Sequence, residues 1–181
     1  MKTLKLYSLL ILLISIGVSC QSDKPAEEKE KKDSIDSVFQ PVDDALFRGS
    51  NIGDNPGQVR NDEKSIIVTD TDSLLHYQNT YTFESGVSDV EVYYTFDEFG
   101  LFEIQVDFYP KNAETPGKLM PKIESYLTTR FGNSKALGTA KRWTTNSSSN
   151  NLVEITLSDE SDDAEVPFVS LNFLEPLPDE I

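Results

Sequence analysis

Two runs of alternating residues flank Asp97-Glu98-Phe99-Gly100, and they constrain the fold more than anything else in this 181-residue chain. Val90, Val92, Tyr94 and Phe96 alternate with Glu91, Tyr93 and Thr95; past the turn, Phe102, Ile104, Val106 and Phe108 alternate with Glu103, Gln105 and Asp107. Period two places successive side chains on opposite faces of a strand, so each run buries one face and wets the other. Gly100 supplies the positive φ for a three-residue loop of Glu98, Phe99 and Gly100. That loop sets Asp97 opposite Leu101, so that paired residue numbers sum to 198. Phe96 then meets Phe102, Tyr94 meets Ile104, Val92 meets Val106 and Val90 meets Phe108. Turn chemistry and apolar matching point to one register. The same register puts Glu91 opposite Asp107 on the outer face, a like-charge pair that costs stability unless solvent or a cation screens it.

The rest of the chain from Pro41 onward carries weaker signals of the same kind. Residues 75–83 form a strand with Leu75, Tyr77, Tyr81 and Phe83 on one face, which leaves His76 on the polar, solvent-facing side. Ile66-Ile67-Val68 is another short strand, preceded by a short helix over 55–64 with Pro56 in its first turn. Leu119, Ile123, Leu127 and Phe131 recur every fourth residue with Tyr126 beside them. They predict a helix begun by Pro116 or Pro121 and stopped by Gly132. Strands follow at 141–145, 152–157 and 166–174, separated by 146–151 and by the acidic turn 158–165. The expected class is α+β: an antiparallel sheet with two helices on one face, in a tandem helix-plus-strands arrangement over a single domain at 41–181.

The N-terminus reads as an address. Lys2 and Lys5 precede an apolar run of 13 residues, 6–18, which is short of the ~20 that span a bilayer. Gly17-Val18-Ser19-Cys20 resembles the lipobox of bacterial lipoproteins. The resemblance implies removal of a signal peptide at 1–19, acylation of Cys20 and anchoring to a membrane through those acyl chains, which become effectively irreversible anchors when two or three are present. Gln21 after the cysteine, where aspartate resembles an inner-membrane retention signal, implies the outer membrane, with the protein facing the periplasm or the surface. Residues 21–40 include ten charged side chains and few apolar ones, the composition of a disordered tether. Loss of Lys2 and Lys5 with the signal leaves 14 basic residues against 31 acidic, a net charge of −17 in place of −15.

Phe47-Arg48-Gly49 through Gly53, Pro56, Gly57 and Val59, together with Phe96 to Gly100 and Tyr126 to Gly132, resembles envelope lipoproteins built of repeated helix-then-sheet modules. These are similar in outline to outer-membrane assembly lipoproteins of the BamE type and to the β-lactamase-inhibitor fold. The resemblance implies protein binding and carries over no functional residue.

Composition excludes several chemistries. So acidic a chain repels phosphate backbones, which argues against nucleic acid as a partner. One cysteine makes neither an internal disulfide nor a thiolate cage, and one histidine rules out any site with two imidazoles. No cofactor is expected. For a hydrolase only Ser or Thr with His76 remains, without a nucleophile turn around it. Glu91 and Asp107 are the one carboxylate pair the register joins, a candidate to share a proton or cation, or to cleave a glycan. Asp159, Glu160, Asp162, Asp163 and Glu165, and separately Asp70 with Asp72, are loose calcium candidates read first as solvated turns. Among aromatic residues, Trp143, Tyr77, Tyr81 and Tyr94 are binding candidates, but Tyr93 and Tyr109 face outward by the register and are the sharper pair. The expectation is a non-catalytic, lipid-anchored envelope module that binds a protein or glycan through a face of Tyr93, Tyr109, Glu91 and Asp107. The alternative is a carboxylate hydrolase.

Overall fold

The computed structural model describes residues 33–84, 86–111, 115–162 and 164–176. The signal segment, Cys20, the charged stretch as far as residue 32, and Asp163 lie outside them. The strands are β1 (Ile66–Asp70), β2 (Leu74–Phe83), β3 (Gly86–Asp97), β4 (Gly100–Lys111), β5 (Lys135–Leu137), β6 (Ala140–Asn146), β7 (Leu152–Asp159) and β8 (Val169–Leu174). They form one sheet in the order β1-β2-β3-β4-β8-β7-β6-β5, and every neighbouring pair is antiparallel. Two meanders therefore meet at their last strands, β4 against β8, and helix α3 (Pro116–Phe131) lies between them in the chain. Two shorter helices, α1 (Ile35–Phe39) and α2 (Pro56–Asp62), precede β1.

The central hairpin keeps the expected register from Val87↔Lys111 to Thr95↔Glu103, then slips by one residue. Phe96 pairs with Leu101, not Phe102, and Asp97 pairs with Gly100, so the loop has two residues, Glu98 and Phe99. Phe102 is the bulged residue, and Leu101 takes the inward position at 1% exposure. The cause is a distant segment. The Gly53 N–H donates to the Leu101 carbonyl at 2.7 Å, and the Leu101 N–H donates to the Asp54 carbonyl at 2.8 Å. A Cβ on Gly100, at φ +123°, would stand 2.6 Å from the Gly53 carbonyl oxygen.

The inward face carries the core. Leu75, Tyr77, Tyr81, Val90, Val92, Tyr94, Ile104, Val106 and Phe108 from one meander join Trp143, Val153, Ile155, Leu157, Val169, Leu171 and Phe173 from the other. Leu119, Ile123 and Leu127 of α3 pack onto the β6-β7-β8 half of this face. Pro116 occupies the first turn, Gly132 ends the helix at φ +86°, and the Gly132 carbonyl accepts the indole N–H of Trp143 at 3.0 Å. The stretch expected to end a tether at residue 40 instead supplies α1, whose Val38 and Phe39 are 0% and 1% exposed. Phe39 stacks on Tyr126 of α3 at 4.1 Å. Two apolar side chains among so many charges give little periodic signal, and their burial depends on a partner ring almost ninety positions away.

A charged pair lies within this core. Arg48 and Glu63 have side chains 1% and 0% exposed and pair at 2.8 Å. Arg48 also donates to the Val38 carbonyl (2.7 Å), Ser65 Oγ (2.8 Å) and the Tyr81 hydroxyl (3.0 Å). Glu63 accepts from the Tyr94 hydroxyl (2.9 Å) and from the N–H groups of Lys64 and Ser65 (both 2.8 Å). Burial pushes the Glu63 carboxyl up, but the charge and hydrogen bonds of Arg48 and the bonds from Ser65 outweigh it, and the net shift is downward.

The α+β expectation, with two helices on one face and a tandem repeat, is corrected by this architecture. Strand makes up 47% and helix 20%, and all eight strands belong to one sheet, not to two modules. Helices α1 and α2 have five and seven residues, and α2 buries Val59 alone, so they do not form a helical layer. At the ends, β8 begins at Val169 rather than 166, and the three exposed residues of β5, which had no alternating pattern, form an edge that the sequence reading lacked.

Candidate functional site

The outward face of the sheet has two cross-strand rows at its centre. In one, His76, Tyr93, Gln105, Asn172, Thr156 and Arg142 stand side by side from β2 to β6. In the next, Gln78, Glu91, Asp107, Ser170 and Ser158 do the same. Alternation alone sends these residues outward, because their sequence neighbours fill the core. Glu91, Tyr93, Asp107 and Tyr109 thus form a block on β3 and β4.

Glu91 and Asp107 are directly opposite each other, yet each carboxylate has its own partners. Ser170 Oγ donates to Asp107 Oδ1 at 2.8 Å and Gln105 Nε2 donates to Oδ2 at 2.7 Å; Asn172 in turn donates to Ser170 Oγ at 3.3 Å. The Tyr93 hydroxyl makes a short hydrogen bond to Glu91 Oε2. Asp107 is 3% exposed, and burial first, then the charges of Glu91 and Glu160, raise its carboxyl above the ordinary range against the pull of Ser170 and Gln105. Both phenols respond to the same surroundings. Burial, with the nearby Asp107 and Glu91, pushes Tyr109 up to about 12, and burial with the hydrogen bond to Glu91 raises Tyr93 further. Both hydroxyls therefore remain neutral donors at physiological pH. Tyr109 stacks on Phe168 at 5.2 Å.

His76 lies on the polar side, as alternation requires, but it is not solvated: its side chain is 15% exposed. The imidazole stacks on the Tyr93 ring at 4.2 Å and 14°. Its Nε2 lies 3.2 Å from Glu91 Oε2 without the alignment of a hydrogen bond. A ring and a carboxylate are thus its neighbours on this face, with Thr69 beside it on β1. The stack was accessible in principle, since residue numbers in the β2–β3 ladder sum to 169 throughout and so pair His76 with Tyr93. Phe168 had no such signal, because it precedes its strand.

The other candidates separate. Trp143, Tyr77, Tyr81 and Tyr94 are buried on the inward face and offer no binding surface. Asp70 pairs with Arg60 at 2.6 Å, while Asp72 is exposed 3.9 Å from the same guanidinium. Asp159 accepts from Ser161 N–H at 3.0 Å and Glu160 accepts from Ser158 Oγ at 2.5 Å, so these carboxylates brace their own turn. Among the described residues no group of three or more His, Cys, Asp and Glu side chains is placed to hold a metal ion, and Glu91 with Asp107 is included in that statement.

A face of this kind can offer the Tyr109 phenol, side-chain amides and ring edges from fixed positions, the Tyr93 proton being committed to Glu91. Each central carboxylate already accepts a hydrogen bond from a neighbour on the face. No family model matches the chain, and no curated protein or solved structure matches it.

Proposed function

We propose that the chain is a non-catalytic binding module of the bacterial cell envelope, anchored in the outer membrane by acyl chains on Cys20, and that the outward sheet face engages an envelope protein or glycan. The observation that carries this reading is the Glu91, Tyr93, Asp107 and Tyr109 block, in which every carboxylate is engaged within the face while the two phenols keep their protons. Side chains already held by neighbours lose little entropy on binding, which is what recognition requires. A carboxylate hydrolase would set its acid and base around a substrate cleft, whereas Glu91 and Asp107 stand in a sheet face and are bonded there to Tyr93, Ser170 and Gln105.

Photocrosslinkers at positions 93 and 109 in intact envelopes test the face. The same adduct is expected from both positions and not from position 135, exposed on the edge strand β5 five strands away from β3. Absence of any adduct at 93 and 109 refutes the face. Metabolic labelling with palmitate tests the anchor: label is expected on the wild-type chain and not on Cys20→Ala, and label on Cys20→Ala refutes it.

A further inference from the structure

At the end of the sheet where β3 turns into β4, an apolar groove of about 870 Å³ opens between Phe99, Phe102, Leu174 and Pro176. Asp97 and Glu175 are part of its wall, and none of its lining residues is basic. Phe99 is 82% exposed and Leu174 38%. An aromatic ring displayed to this degree on an ordinary turn would be unremarkable, but this turn is held rigidly. Leu101 is clamped to Gly53 and Asp54 by two backbone hydrogen bonds, Gly100 packs against the Gly53 carbonyl too closely for a Cβ, and Asp97 Oδ1 accepts the Phe99 N–H at 2.8 Å. The backbone that carries the ring is fixed, so a partner that buries Phe99 has only its side-chain rotamers to order.

The groove also has a direction. The described chain enters at the far end of the sheet, where the Asp33 N–H donates to the Thr82 carbonyl at 2.6 Å and the Thr82 N–H donates to Asp33 Oδ2 at 2.8 Å. Thr82 pairs with Val87, from which β3 runs to Asp97, about 33 Å away at roughly 3.3 Å per residue. The groove therefore lies at the end of the sheet opposite the point where the described chain enters.

We infer that this groove is a docking site for a protein segment carrying an apolar side chain flanked by lysine or arginine. The apolar side chain packs against Phe99 and Leu174, while the cations meet Asp97, Glu98 and Glu175. Charge complementarity decides the partner: a rim of carboxylates on a chain of net charge −15 attracts a basic segment and repels a second acidic copy of itself. This groove opens beside the same outward face, with Leu174 one cross-strand row beyond that of Tyr93, but it shares no lining residue with the Tyr93 and Tyr109 block.

The test is selection of a random-peptide display library on the full-length protein in detergent micelles. Recovered peptides should join an aromatic or aliphatic residue to Lys or Arg. Their affinity should fall about tenfold or more with Phe99→Ala, as for an interface anchor, and severalfold with Glu98→Gln/Glu175→Gln. Both sites are exposed enough that the variants fold, and Lys135→Ala on the exposed edge strand β5 should leave affinity unchanged. Peptides without basic residues, affinity indifferent to Phe99→Ala, or a dimer in sedimentation that Phe99→Ala dissolves would each overturn the inference. Palmitate labelling of Cys20→Ala would overturn the anchor and leave the groove standing, whereas loss of peptide binding would leave the anchor standing, so the two failures are distinguishable.

Discussion

Replacing Arg48 with methionine should be the most damaging conservative change in the chain. Methionine keeps the length and apolar stem, so the variant isolates the charge. It takes the guanidinium at 2.8 Å away from Glu63, whose side chain is 0% exposed, so that the carboxyl must either stay ionised without a positive partner or take up a proton. The bonds from Ser65, Lys64 and Tyr94 remain, but none of them supplies a positive charge. Removing one partner of a buried pair costs about 3–5 kcal/mol. The left-handed backbone of Arg48, at φ +49°, is no different with methionine and drops out of the comparison. Trp143, the single tryptophan and 1% exposed, reports unfolding by fluorescence. With a urea dependence of about 2 kcal/mol per molar, the midpoint should fall by roughly 2 M. The double variant Arg48→Met/Glu63→Leu should recover more than half of that loss, because no buried charge is then left without a partner. The pH dependence follows from the lowered carboxyl of Glu63. Its folded value lies below its ordinary one of 4.5, so its contribution is present above that range and is lost as pH falls below it. The wild-type midpoint should therefore drop on acidification more steeply than that of the double variant. A single variant within about 1 kcal/mol of wild type, or strictly additive losses in the double, would refute this account.

Gly100→Ala should cost about 2–4 kcal/mol in the same unfolding assay, combining positive φ with a 2.6 Å approach to Gly53, whereas Gly132→Ala, with open space around it, should cost only about 1–2 kcal/mol. Equal losses would mean that the turn is not clamped by the Gly53 segment. Phe39→Ala should destabilise by about 3–5 kcal/mol, since the ring is 1% exposed; a change below about 1 kcal/mol would return residues 33–40 to the tether. Asp107→Asn removes half of a like-charge pair and should stabilise by up to about 1 kcal/mol at neutral pH. Because the folded carboxyl of Asp107 is raised, its protonated form favours folding, so the gain should shrink as pH falls through that raised range towards the ordinary aspartate value of 3.8 and be gone below it; a gain that persists in acid would count against repulsion as its source.

The parts of this molecule readable from the chain are those set within about ten residues. The β3–β4 register is one, because alternation and a glycine turn must agree over a short loop. Helix α3 is another, with four-residue recurrence between Pro116 and Gly132. The sidedness of His76, Glu91, Tyr93, Asp107 and Tyr109 follows from the same rule. Other features have no local trace. Leu101 replaces Phe102 in the core because a segment fifty residues upstream bonds to it. Arg48 and Glu63 look like two more surface charges in an acidic chain until Tyr81, Tyr94 and the β2–β3 surface enclose them. His76 was placed on the correct face and still misjudged as solvated, since the Tyr93 ring that covers it belongs to the next strand.

By itself, then, the sequence determined which residues turn inward on β2, on β3 and on β4 beyond its turn, where α3 stops, and how acidic the chain is, since side-chain periodicity, glycine sterics and charge are properties of neighbouring residues. Only the tertiary structure decided that β4 pairs with β8 to join two meanders into one sheet, that α1 belongs to the core, and that Glu91 and Asp107 are each satisfied by different partners. Those outcomes depend on which surfaces exclude water together, and strand order, burial and hydrogen-bond pairing across distant segments are set by that competition rather than by local preference.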